Sequence, residues 1–507
     1  MFNVRVKLMN GQILKTPITP LSLLFSLFFF SVLFADFFPT TFGAYANQRV
    51  ILSLSIFLIT AWGIVWLSFR RVLFTSLAEL WPFFLLLLAF IAPIFQPIAQ
   101  SFYVVEPVFY ALYFFSFGLL GVFLKRTKLT SCASQALLVT LVVSCFFYAA
   151  MTVTVYLFAV SDDFSHLDNI IPWGFVSIRY WSHIATWLLP LLPLALLMLP
   201  WKENRLWHLA VTFSAAIWWW VVFLSASRGS MVGLLTGFLF VWACFGKVAF
   251  PWMRLFFRFA IYGFLIWLVL SVLIPSLVFD DIHIRGIKAH SSGRTPLWQE
   301  AWAMSFKNFP FGMGPQSWLT HDILTEAYQS SSKFGHPHNM YLMWAAEYGW
   351  VSLSGLILLG GVALLRLWQR ISETRVGDNR DVLWLTAFTA SVTAALVHAG
   401  VSAVFIAPGS MLIGLVVLTV FWALISPNLK QVVPNQKRYS ASDLAGYILV
   451  IAFLLVGSIW FREVLHYRQA MDKDIEYYRT NVREEILPRF WFHGNFPRNP
   501  SQMPQEK

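Results

Sequence analysis

Charge is what this sequence has least of. Of its 507 residues only 12% are Asp, Glu, Lys or Arg, whereas 58% are hydrophobic and 50 are Phe. A soluble domain carries about a quarter charged residues, so lipid must solvate most of this surface. Cysteine is scarce as well. Cys132, Cys145 and Cys244 lie in or beside apolar runs and none lies in the large loop at residues 279–339, so no disulfide holds that loop together and the redox compartment is left unspecified. No Gly-x4-Gly-Lys-Ser/Thr loop occurs, which counts against a nucleotide-driven pump. The first outer loop offers Asp36 without an Asp-x-Asp pair, which argues against the metal-dependent class of lipid-linked transferases. The formal charge of +12 does not point to nucleic acid. Its Lys and Arg residues sit in short clusters between apolar runs, as membrane topology requires.

What is present is the spanning segment, many times over. About 20 mostly apolar residues cross a bilayer. By that measure spans begin near Leu21, Val50, Val72, Pro107, Ser134, Trp181, Leu206, Met231, Phe256, Met340, Val382, Ile406 and Leu444. The expected fold is an all-α polytopic integral membrane protein with about 12–13 transmembrane helices and one large loop carrying short helices. Glu79 and two prolines interrupt the third span, and the boundary between the eleventh and twelfth is blurred around residues 398–402. Residues 21–34 lack the small-residue cleavage site of a signal peptide. With the N-terminus cytoplasmic, twenty Lys and Arg fall in inner segments and only Arg49, Arg179 and Arg228 in short outer loops. This positive-inside bias puts the polar stretch 279–339 and the tail 462–507 outside, which in a bacterium is the periplasm. The chain then divides into N-terminal helices (1–204), helices around a Ser-Arg-Gly turn (205–278), the loop (279–339), C-terminal helices (340–461) and a short polar tail (462–507).

Three motifs on the outer side carry chemistry. Ser225-Ala226-Ser227-Arg228-Gly229-Ser230 is a tight turn before the eighth span. Its Ser and Gly residues suit a helix N-cap and close backbone approach, and the helix N-terminus beside Arg228 is a ready anion site. An interfacial Arg on a lipid headgroup is the plainer alternative. Ser291-Ser292-Gly293-Arg294 precedes an amphipathic stretch, residues 296–306, whose Trp298 and Trp302 fit an interfacial helix. A turn-forming run with Gly312-Met313-Gly314 follows it. His336-Pro337-His338-Asn339 closes the loop, with Asn339 read as the N-cap of the tenth span and Glu347 about two turns deeper. A carboxylate at that depth is a functional candidate, although an ion pair to a neighbouring element is its commoner role. The two histidines across a proline lack an Asp, Glu or Cys at completing spacing, so no metal site is expected.

In their order and spacing these motifs resemble the bacterial O-antigen ligase family over residues 205–365. The resemblance implies a transferase that moves a glycan from undecaprenyl pyrophosphate to lipid A-core. Related members act on Ser or Thr of pilin-type proteins, and more distant ones polymerise repeat units. It assigns catalytic roles to Arg228, Arg294 and His338, and a less strictly required one to His336. Arg285, Asn339, Ser227 and Gly229 join His336 as expected substrate-binding residues. The implied partners are the lipid-linked donor, a lipid A-core or protein acceptor and the membrane lipids, with no cofactor and no nucleic acid. An outer tail departs from the many ligases that end in the cytoplasm.

The chemistry fits these residue types. Breaking the sugar–pyrophosphate bond leaves negative charge on phosphate, which guanidiniums and helix N-termini stabilise. Histidine, with an ordinary pKa of about 6.5, suits a base for the acceptor hydroxyl. Direct attack from the opposite face would invert the anomeric centre. A flippase for the same lipid would place its ionisable groups along a mid-membrane cavity, whereas here they gather at the outer face. The topology is testable by cysteine substitution. Ser331→Cys and Gln502→Cys are expected to react with an impermeant maleimide in intact spheroplasts, and labelling of Gln502→Cys only after lysis would remove the thirteenth span.

Overall fold

The structure is a computed structural model that describes residues 18–38, 43–70, 72–96, 101–175, 177–279, 293–332, 334–374, 379–427, 441–481 and 489–491. Among the described residues the regular structure is helical, without a strand. Ten helical stretches are long and apolar enough to cross a membrane. An eleventh crossing is the broken pair Leu73–Glu79 and Trp81–Phe95, bent by 73°. The break falls where Glu79 and the prolines interrupt the pattern. Pro82 sits in the first turn of the second arm, where its missing N–H costs nothing, and Glu79 pairs with Arg126 at 2.8 Å. The longest stretch, Arg228–Val278, turns at Gly246, whose φ is +56°. Phe238 returns onto Phe256 with ring centroids 5.9 Å apart, so this stretch makes two passes. With the short apolar helix Leu21–Leu33, the hydropathy pattern is accounted for span by span.

Burial sorts the helices into centre and perimeter. Pro408–Ile425 is buried at every residue except Leu424, as expected of a helix that is apolar all round. It lies against Val105–Arg126, where Gly121 admits the indole of Trp422. Perimeter helices such as Ala441–Asn481 expose Leu455, Val456 and Ile459. In lipid such exposure is no cost, while every backbone polar group has to be paired inside its helix. That last helix has 41 residues, about 60 Å at 1.5 Å per residue. It continues well past residue 461, so the part expected as a polar tail begins as helix.

One close approach between helices runs through three glycines. Arg228–Phe245 lies on Asn379–Ala399 through Gly229, Gly233 and Gly237, spaced four apart. A Cβ on Gly233 would stand 2.5 Å from the carbonyl oxygen of Ala394, and one on Gly237 2.5 Å from that of Ala390. Small residues at this spacing let membrane helices touch backbone to backbone.

The stretch between the spans folds as a cap. Helix Arg294–Lys307 buries Leu297, Ala301 and Met304 against Trp318, Leu319, Tyr328 and Ala346. Its other face exposes Trp302 and Phe306, which meet Trp350 of the helix Met340–Thr374. That helix breaks at Gly349, where φ is +78° and ψ 175°. The Gly-x-Gly turn fills the break. Met313 N–H donates to Ala346 at 2.8 Å, Gly314 N–H to Glu347 at 2.9 Å, and Val351 N–H to Pro310 at 3.3 Å. Gly312 and Gly349 face each other so closely that a Cβ on Gly349 would lie 2.1 Å from the Pro310 carbonyl oxygen.

Gly233→Ala and Gly237→Ala are therefore expected to destabilise the protein by about 1–3 kcal/mol, the usual cost of overpacking. Gly360 has nothing within 4 Å of a notional Cβ, so Gly360→Ala should be neutral or stabilising by up to about 1 kcal/mol through helix propensity. Thermal unfolding in detergent compares the three, and equal effects would refute the close approach.

Candidate active site

Arginines at helix starts come together at the capped end of the bundle. Arg228 is the first residue of Arg228–Phe245, Arg294 the first of Arg294–Lys307, and Arg179 the second of Ile178–Leu188. The charges that reach Arg294 are those of Arg179 and Arg228, both of its own sign. Burial first, and then these neighbours, pull its guanidinium down to about 10. One contact that holds it in place is a carbonyl: Arg294 Nη1 donates to Val401 at 2.9 Å. Arg228 thus lies within electrostatic reach of Arg294. Arg285, with Ser291 and Ser292, lies outside the described residues.

The turns that carry these groups are tight. Ala226, Gln316 and His338 all have positive φ, at +46°, +60° and +55°. Residues other than glycine occupy that region at a cost, and such strain clusters at functional sites. His336 accounts for the geometry at His338, whose backbone N–H donates to His336 Nδ1 at 3.1 Å. An accepting Nδ1 places the ring proton of a neutral His336 on Nε2. The two rings stand 4.3 Å apart, and Phe334 packs edge-on to His338 at 5.2 Å. Asn339 caps the next helix, its Oδ1 accepting from Tyr341 N–H at 3.0 Å and Leu342 N–H at 3.1 Å. Ser227 behaves differently from an N-cap. Its hydroxyl makes no cap bond and meets the Ser230 hydroxyl at 3.1 Å. Gly229 is where the helix presses on His398, with a notional Cβ 2.6 Å from the imidazole.

The turn after Asn379–Ala399 ties these pieces together. Leu396 accepts from Tyr341 Oη at 2.7 Å, His398 packs on Gly229, and Val401 accepts from Arg294. Beneath it lies a buried polar network. Thr186 Oγ1 and His398 Nδ1 are 2.9 Å apart, Ser230 Oγ donates to the Ser182 carbonyl at 3.0 Å, and His183 Nε2 meets Ser402 Oγ at 2.7 Å. His183 also lies within electrostatic reach of Arg179, His338 and His398. Arg228, Arg294 and His338 are thereby brought to one region. Arg179, His183 and His398 stand with them without having been singled out as site residues. The one signal for Arg179 was its place among the few outer cations, while His183 and His398 looked like ordinary polar residues of spans.

Two carboxylates organise the cap. Glu300 is fully buried and accepts from His321 Nε2 at 2.8 Å, from Leu324 N–H at 2.7 Å and from the Thr325 hydroxyl. Burial alone would raise its carboxyl, but these donors hold it below the ordinary glutamate range. Glu347 accepts from Trp318 N–H at 3.0 Å and pairs with Arg489, so it serves as an anchor between elements. Among the described residues no cluster of three His, Cys, Asp or Glu is placed to hold a metal ion.

The helical bundle defines a polytopic membrane protein, with a folded cap and several arginines at helix starts toward one end. Residues 213–357 match the family model described as O-antigen ligase, so this part of the chain is similar to that family. The match runs from the helix before Arg228 to just beyond Gly349, and so takes in both arginines, both histidines and the cap. No curated protein and no solved structure matches the chain.

Because the folded Glu300 carboxyl sits below its unfolded value of 4.5, its contribution is present above that pH and lost as pH falls through the lower folded value. The cap's resistance to proteolysis should therefore decline on acidification below pH 4.5. Glu300→Gln should be more easily cleaved at neutral pH and should lose this acid dependence.

Proposed function

We propose that this protein transfers a glycan from undecaprenyl pyrophosphate to an acceptor hydroxyl on the periplasmic side, with O-antigen ligation to lipid A-core as the leading assignment. The observation that carries the reading is the gathering of Arg228, Arg294 and Arg179 at helix N-termini beside His338. Like charges held together in a partly desolvated site are unfavourable unless an anion joins them. A pyrophosphate with two phosphoryl groups is such an anion, and guanidinium binds it in a planar fork. The acceptor oxygen attacks the anomeric carbon and passes its proton to His338. The bond from that carbon to pyrophosphate breaks, its electron pair remains on the phosphate oxygen, and the anomeric centre inverts. His336 orients His338 through the backbone. The arginines take the place of a divalent cation, so no metal enters the scheme.

Arg228→Lys and Arg294→Lys are expected to fail nearly as badly as the alanine variants, since lysine keeps the charge and loses the fork. His338→Ala should retain donor binding while transfer falls about 10²-fold or more, and His336→Ala should be milder. Transfer should survive EDTA without ATP. Two fully active Arg→Lys variants would remove the pyrophosphate assignment, as would recovery by magnesium after chelation. Loss of ladder lipopolysaccharide on gene deletion would identify lipid A-core as the acceptor, and loss of a glycosylated pilin would identify a protein.

A further inference from the structure

The C-terminal tail comes back into the bundle. Residues 489–491 lie beyond the last helix, yet Arg489, Phe490 and Trp491 are all buried, at 2%, 2% and 0% exposure. Phe490 stacks on Tyr467 at 5.3 Å and meets Phe109 edge-on. Arg49 donates from Nε to the Phe490 carbonyl at 3.0 Å, and its guanidinium lies 4.7 Å from that ring. Tyr45 donates its hydroxyl to the Arg489 carbonyl at 3.0 Å. These contacts fix the backbone at residues 489 and 490, which delivers one guanidinium to the interior.

Arg489 Nη2 stands between two buried carboxylates, Glu106 Oε1 at 3.2 Å and Glu347 Oε2. Both glutamates are almost wholly out of solvent, at 1% and 0% exposure. Each uses its other oxygen to hold the cap: Glu106 Oε2 accepts from Gln316 Nε2, and Glu347 Oε1 from Trp318 N–H. Gln316 carries one of the strained turns, with φ +60°. Trp318 reaches onward, its indole Nε1 donating to the Phe334 carbonyl at 2.8 Å, and the Phe334 ring packs on His338. Two carboxylates sharing a dry site cannot both stay ionised without a cation between them. Removing Arg489 would force one of them to take up a proton or to move, and either change alters a group that holds residues 316–318.

We infer that the C-terminal tail is part of the active site's support, and that Arg489 is a positioning residue for His338, acting through Glu347, Trp318 and Phe334. The functional half of this inference rests on His338 being the base. The structural half does not. It explains why a polar stretch beyond the last helix carries buried Arg489, Phe490 and Trp491, and why Glu347 is paired with Arg489. It also explains Arg49, an expected outer cation that donates to the Phe490 carbonyl and packs against its ring.

Hydrogen exchange on the full-length protein in detergent tests the support directly and needs no substrate. Arg489→Met should speed amide exchange at residues 316–319 and 334–338 by about tenfold or more, the scale of a lost charge-assisted hydrogen bond. Exchange in the helix Arg228–Phe245 should stay unchanged. Arg489→Lys, which keeps the charge and is less disruptive, should give the same pattern more weakly. Arg462→Met, removing an exposed pair with Glu463 on the last helix, should leave the cap as in the wild type. Unchanged exchange in the cap, or equal loosening of cap and membrane helices, would overturn the inference. For the link to His338, the pH profile of transfer is the decisive reading. A displaced base moves the acid limb, whereas a smaller active fraction only scales the curve. Loosening of the cap with a scaled but unmoved profile would overturn the link to His338 alone. A wild-type protein that moves no glycan from polyprenyl pyrophosphate would instead refute the proposed function and leave the exchange result standing.

Discussion

Like charges brought together at the end of an apolar bundle must be held there by something other than themselves. Arg294 is partly buried and feels the like charges of Arg179 and Arg228, and its burial sharpens that repulsion. What opposes it is backbone geometry. Each arginine opens a helix, so its Cα is fixed by a rod that packs elsewhere. The rod behind Arg228 is pressed on Asn379–Ala399 through three glycines, and the turn that ends Asn379–Ala399 offers Val401's carbonyl to Arg294. The C-terminal end of a helix is the negative end of its dipole. It both satisfies the guanidinium and has its own carbonyl satisfied by it, which matters where water is scarce.

The cap depends on a second device, a helix that is broken on purpose. At Gly349 the helix Met340–Thr374 gives up its own hydrogen bonds, and the Gly-x-Gly turn replaces them from outside. The loop is thereby built into the helix that begins immediately after His338. Glu300 then gathers residues 321–325 around a single carboxylate. A segment without disulfides and with a small apolar core is made rigid by buried acceptors whose donors come from different turns. Ala226, Gln316 and His338 can keep costly backbone angles because the surroundings determine them several times over.

Much of this was legible in the sequence because bilayer thickness and hydrogen bonding leave few choices. The spans, the broken third crossing and the cap helix all follow from runs of apolar residues and from where Pro, Gly and Glu79 interrupt them. Asn339 as a helix cap and Gly229 as a point of close approach follow from local stereochemistry. What could not be read locally was pairing across the fold. His398 and His183 are 215 residues apart in the chain, yet their rings lie 4.9 Å apart. Nothing in the surroundings of either announces the other. Arg489 lies in a stretch whose composition reads as polar tail, because a single buried guanidinium flanked by Phe and Trp leaves no periodic trace. Arg49 and Arg179 were visible as exceptions to the positive-inside pattern, but topology accounts for charges by side of the membrane and is silent on what they touch.

Those exceptions share a physical reason. On the expected topology these cations lie on the outer side, against the bias that would orient the chain, and each sits where a fixed positive charge has contacts to make. Arg179 and Arg228 supply that charge beside Arg294, and Arg49 supplies it under the tail. In the proposed reaction the first two would stabilise charge that appears only as the sugar–phosphate bond opens. Their repulsion is met once, during folding, by helix packing. No reorientation of dipoles then remains to be done when the leaving group forms, which is the condition under which electrostatic stabilisation is most effective. The same logic explains why the supporting contacts lie so far from the arginines in sequence and run through backbone. A site that works by pre-placed charge is only as good as the rigidity of the elements that place it.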